Sequence, residues 1–133
     1  MEALLKQAVL DLGEAKKIAH IAERATYLMA YMAMLKAGRA LLLFKGFVPD
    51  DGAQHKTVVD VTAALLGPKF KNLVAHFETM RRKRNEMTYE AGSLVSVSEA
   101  KRAFSDAMDL VQQILHEVKL QNPQLELEFK DLK

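Results

Sequence analysis

The chain has no cysteine and no tryptophan, only three prolines and almost no net charge. Each absence excludes something. Without cysteine there is no disulfide framework, no thiolate zinc site and no cysteine nucleophile, and the composition fits a reducing compartment. Nineteen Lys and Arg against 17 Asp and Glu leave a formal charge of +2, so the chain as a whole has no general attraction for nucleic acid, and any basic surface is local. No uninterrupted apolar run approaches the roughly twenty residues that cross a bilayer. The N-terminal stretch MEALLKQAVLDLGEAKK carries acids and resembles neither a signal nor a transit peptide. A soluble cytoplasmic protein without a membrane partner is expected. Gly46, Gly52 and Gly67 stand alone as turn residues and make no phosphate-cradling loop. His20, His76 and His116 are too dispersed for a zinc site, and Asp11, Glu14, Asp60 and Asp109 form no evident ligand cluster, so no metal and no cofactor are expected.

What the chain does contain is helix-forming residues, with Pro49, Pro68 and Pro123 confined to breaks between periodic segments. At 133 residues it has the length of one domain. The pattern predicts an all-α protein, an up-and-down four-helix bundle with one additional short helix, five in total. The bundle spans 1–121 and a C-terminal tail covers 122–133. The first helix runs from about Glu2 to His20, with Leu4, Leu5, Ala8, Val9, Leu12, Ala15 and Ile18 on one side. The second, about Glu23 to Lys45, places Tyr27, Tyr31, Met34, Gly38 and Leu41 at three-four spacing among Ala30, Ala33, Ala37 and Ala40, which suits a central helix approached closely by its neighbours. Val48 to Gly52 reads as a turn-rich loop. A third helix runs from about Gln54 to Leu66 and stops at Gly67-Pro68. A fourth spans about Lys69 to Glu90, with Glu78, Arg82 and Glu86 as a charge ladder on its solvent face. Ser96 with Glu99 is a capping box opening the fifth, which ends near Leu120. The tail alternates Leu125, Leu127 and Phe129 with acids, as a short strand or a loosely held docking segment would.

The one dense patch of chemistry is RRKRNEMTYE, Arg81 to Glu90. The apolar stripe leading into it runs Phe70, Leu73, Phe77, Met80, and its next stations are Arg84 and Met87. A guanidinium therefore sits where the seam asks for leucine. A buried Arg must be paired or face a cavity that holds an anion.

Two stretches of the chain resemble HEPN domains. Ala30 to Leu43, followed by Lys45-Gly46 and a Pro-containing loop to His55-Lys56, is similar to their second helix and the loop after it. Arg84-Asn85-Glu86-Met87-Thr88-Tyr89-Glu90 is similar to their signature helix. The resemblance extends over Leu5 to Val118. It implies a small helical bundle, usually a homodimer, and in many members a partner minimal nucleotidyltransferase in a toxin and antitoxin pair. The ribonuclease members use an Arg, a polar residue beside it and a His about five positions after the Arg. Here Arg84 matches the Arg and Asn85 its neighbour, but the fifth position holds Tyr89, and the register starting from Arg82 puts Met87 there. The chain thus looks like the branch of the family with Tyr in place of His. A tyrosine with a pKa of about 10 moves protons poorly near neutral pH, where a histidine near 6.5 does so readily.

The resemblance and the residues together point to a nucleotide- or RNA-binding protein whose contacts are Arg81, Arg84, Asn85 and Tyr89. Two other classes stay open. One is a metal-independent endoribonuclease toxin with Arg84, Tyr89 or His55 as catalytic candidates. The other is a non-catalytic dimeric scaffold in which Arg84 makes ion pairs. Asn85 and Tyr89, four apart, share a helix face and serve either as ligand contacts or as core packing with a satisfied hydroxyl. His55 either approaches the site across the bundle or caps the third helix in solvent.

Overall fold

In the computed structural model, residues 1–47, 55–89 and 94–125 are described. They form five α-helices and no strand: α1 (Glu2–Ile18), α2 (Glu23–Phe44), α3 (His55–Leu66), α4 (Lys71–Tyr89) and α5 (Val97–Gln121). The loop at Val48 to Gly52, the expected start at Gln54, the stop at Ala91 to Ser93 and the tail from 126 onward lie outside the described residues.

The sequence signals for helix ends have visible causes. Gly46 adopts φ +84°, and the N–H groups of Gly46 and Phe47 donate to the carbonyls of Leu43 and Leu42, which closes α2 in a Schellman arrangement that needs the left-handed residue. The Ser96 hydroxyl accepts from the Glu99 N–H while the Glu99 carboxylate accepts from the Ser96 N–H, so the predicted capping box opens α5. One boundary differs from the pattern. Pro68–Phe70 is a separate 3-10 turn, and α4 begins only at Lys71. Gly67 at φ +83° followed by a proline starts a tight turn that the apolar spacing alone cannot distinguish from a first helical turn.

α2 lies at the centre and touches all four other helices. Ala30, Ala33, Ala37, Gly38 and Ala40 are buried on it. By length and composition α2 could cross a membrane, but most of it is buried against its neighbours, as in a core helix. Gly38 marks the closest approach. A Cβ there would stand 2.8 Å from Val58 Cγ1 and 3.0 Å from Thr62 Oγ1, both on α3. α3 therefore lies flush on α2.

Polar ties set the remaining packing. Lys36 of α2 pairs with Asp11 of α1 at 2.7 Å. Lys83 and His76 of α4 meet Glu99 and Asp106 of α5, each pair at 2.6 Å, and this register makes α4 and α5 antiparallel. Arg24, near the start of α2, donates to the carbonyl of Met87 near the end of α4, one of the helix-terminal carbonyls with no partner inside the helix. Leu125, beyond Pro123, is buried against the core, so the beginning of the tail docks.

Candidate functional site

Tyr31 is fully buried on α2, its ring tilted 5.9 Å from Phe77 of α4 and 5.8 Å from the ring of His55. A buried hydroxyl needs a partner. It finds one in His55 Nδ1 at 2.9 Å. Burial pushes the phenol up to about 12, against the opposing charges of Arg84, Arg81 and Arg39, so the group keeps its proton near neutral pH. His55 is held below its ordinary 6.5 by burial and then by Arg84, Arg39 and Arg81. A neutral imidazole whose Nδ1 accepts from a phenol carries its proton on Nε2. In that tautomer the ring offers an N–H donor, under the positive charge of Arg84, Arg39 and Arg81.

Those cations arrive from two helices. From the buried Phe77, steps of four and three along α4 lead to Arg81 and Arg84, both half-buried. Arg81 grips Glu78 through Nη2 at 2.6 Å and through Nε at 3.0 and 3.1 Å. This grip holds the Glu78 carboxyl below the usual carboxylate range, and Arg82 shares the same oxygen at 3.2 Å. The Glu78–Arg82 rung of the predicted ladder is thus present, but the stronger partner is Arg81. Arg84 and Arg39, the latter also half-buried on α2, make no ion pair among the described residues. Arg84 is half-buried at the seam position, and its positive charge lowers the pKa of both Tyr31 and His55.

Two expectations need correction. His55 is not simply solvated, because its ring is half-buried and bonded to a core tyrosine. Tyr89 is not packed in the core: it is 85 % exposed at the last residue of α4. At about 100° per residue, five positions after Arg84 is some 140° around the helix, away from the seam. Asn85 is half-buried beside Arg84, and no hydrogen bond joins it to Tyr89 among the described residues. Of the predicted residues, Arg81 and Arg84 act on His55 through their charge, Asn85 lies next to Arg84 on α4, and Tyr89 stands apart.

Tyr31 and Arg39 went unrecognised as members of this group. Tyr31 reads as one more apolar station of α2, and only its hydroxyl on an otherwise alkyl face marks it. Arg39 is a lone cation between the buried Gly38 and Ala40, a break in the apolar face of the same kind as Arg84.

Away from this group, a cavity of about 570 Å³ lies beside α4 and α5, lined by Leu73, Arg102, Asp106, Asp109 and Gln113 among others. Its carboxylate Asp106 is already engaged by His76. His20 and His116 are exposed. Among the described residues no three His, Cys, Asp or Glu side chains are grouped to hold a metal ion.

Compared with known protein families, residues 1–121 match a family model described as the HEPN domain. No curated protein and no solved structure matches the chain.

Proposed function

The chain belongs to the HEPN domain family over residues 1–121, and on that premise we propose that it binds the phosphate of a nucleotide or RNA where α2, α3 and α4 meet. The observation that carries this reading is the bond between the buried Tyr31 hydroxyl and half-buried His55, a pair on which the charges of Arg84, Arg39 and Arg81 act. Two half-buried guanidiniums without an ion-pair partner among the described residues are costly for the protein alone. An anion between them removes that cost. Arg84 and Arg39 supply charge and His55 a hydrogen-bonding ring nitrogen, with the Asn85 amide next to Arg84 on α4, while Tyr89 stands outside this group.

The larger assembly follows family membership. The helices form an up-and-down four-helix bundle of α1, α2, α4 and α5 with α3 added, two chains make a homodimer, and the protein acts in the cytoplasm with a partner minimal nucleotidyltransferase in a toxin-antitoxin or defence-type system. The antiparallel α4–α5 pairing supports the bundle topology.

A second reading, metal-independent endoribonuclease, is favoured by one specific observation. The signature helix lacks a histidine, and His55 of α3, which feels the charge of the motif Arg84, is the candidate to stand in for it. An imidazole can shuttle protons near neutral pH where Tyr89 cannot. One experiment addresses both readings: a labelled RNA with chelator present, read for binding and cleavage, in the unaltered protein and in Arg84→Ala. We expect about 10- to 100-fold weaker binding in the variant, the scale of one lost hydrogen bond to a charged group. Cleavage lost in Arg84→Ala establishes the ribonuclease. Equal binding by both proteins removes this site from the function.

A further inference from the structure

Between α3 and α4 runs a groove of about 520 Å³ on which the phosphate-binding reading does not call. Lys56 near the start of α3 and Arg82 late in α4 both line it, as do Gly67 and Lys71 on either side of the turn that joins the helices, so α3 and α4 run antiparallel along it. The lining then falls into bands about one helical turn apart. Lys56 and Arg82 form a cationic band, Asp60 and Glu78 an acidic one, Ala63 and Ala75 a floor of small apolar side chains, and Lys71 closes the far end. Lys56 pairs with Asp60 and Arg82 with Glu78, each at 3.2 Å along its own helix. Across the groove, like charge faces like. Lys71 makes no ion pair among the described residues.

A complement to these bands stands on the first helix of the same chain. Glu2, Lys6, Leu10 and Glu14 are spaced four apart and are all exposed on α1. Leu10 is 65 % exposed, and none of the three charges makes an ion pair among the described residues. We infer that the outer face of α1 from a second copy of this chain lies in the α3–α4 groove, parallel to α3. In that direction Glu2 meets Lys56 and Arg82, Lys6 meets Asp60 and Glu78, Leu10 covers the alanine floor, and Glu14 meets Lys71. In the reverse direction Leu10 falls on the carboxylates and Lys6 on the alanines, so the match selects one orientation. Exposed ion pairs add little affinity, and here they set register while Leu10 supplies apolar burial. Within one chain α1 touches only α2 and α5, whereas α3 and α4 build the groove. The two surfaces are therefore different, and the contact joins copies head to tail instead of about a shared two-fold axis.

The test is sedimentation velocity of the full-length protein across a concentration series. Association is expected to weaken about tenfold in Leu10→Asp, in Glu14→Lys and in Lys71→Glu, the scale of a surface attraction turned into a repulsion. All three side chains are exposed, so circular dichroism should not change; Glu14→Gln and Lys71→Gln replace the charge reversals if it does. Glu14→Lys and Lys71→Glu mixed in equal amounts should associate as the unaltered protein does, because the altered helix then meets the altered groove and the native helix the native groove. Association that none of the substitutions weakens, or that mixing fails to restore, overturns the inference. A single-copy size at every concentration overturns it as well.

Discussion

At position 55 a histidine is bonded to a core hydroxyl, and burial first and nearby cations second disfavour its protonated form. Burial strips an imidazolium of its hydration, and the charges of Arg84, Arg39 and Arg81 repel it. The folded pKa lies below the unfolded 6.5. Between the two values the unfolded chain binds more protons than the folded one, so stability falls as pH drops through the ordinary histidine range. Glu78 and Glu99, held below 4.5, lose their contributions only at lower pH. Thermal midpoints measured from pH 7.5 to 5.5 should therefore decline in the unaltered protein. His55→Gln, which keeps an acceptor for Tyr31, should flatten the decline, and an unchanged slope would show that His55 is not the source.

At the level of elements, the site depends on how closely α3 lies on α2. Gly38 permits that approach, and the side chains facing it, Val58 and Thr62, are β-branched and have little freedom to swing aside. Gly38→Ala gains about 1 kcal/mol in helix propensity, but overpacking costs about 1–3 kcal/mol, and α3 must lift. The expected outcome is a net loss of stability of up to about 2 kcal/mol in urea unfolding, accompanied by weaker RNA binding because His55 rides on α3. Unchanged binding in a folded Gly38→Ala protein would separate the site from the α2–α3 packing.

The same scale shows what was legible in the sequence. The amphipathic stripes, the Gly46 stop, the Ser96–Glu99 box and the misfit of Arg84 are short-range patterns, so they can be read from neighbours in the chain. The Tyr31–His55 bond spans 24 positions and two helices, and periodicity carries no information about which helix faces which. Tyr89 misled for a related reason. A family motif records positions along a helix, whereas burial depends on the angle around it, and α4 ends where Tyr89 stands.

For the molecule as a whole, a net charge of +2 means that binding strength cannot come from a diffuse basic surface. It must come from a few contacts, and salt dependence counts them. With about two phosphate charges neutralised, the logarithm of the association constant for single-stranded RNA should fall with log salt at a slope near −1.4, and Arg84→Ala should reduce that slope by about 0.7. A much steeper slope would mean that RNA tracks a wider surface than this cleft.

One contact made by the residue just before Arg84 bears on where the arginines of α4 point. A helix in a bundle can turn about its own axis with little change in the area it buries, so its angular phase has to be fixed by something directional. Lys83 provides this, reaching Glu99 of α5 at 2.6 Å with its ammonium about 6.0 Å from the centre of the Tyr27 ring. Glu99 is itself anchored by Ser96 at the head of α5. Because successive residues are about 100° apart, seating Lys83 between α2 and α5, together with the His76–Asp106 pair, constrains the direction of Arg84. The bearing of the seam arginine is thus dialled in by its chain neighbour, like a key fixing a shaft.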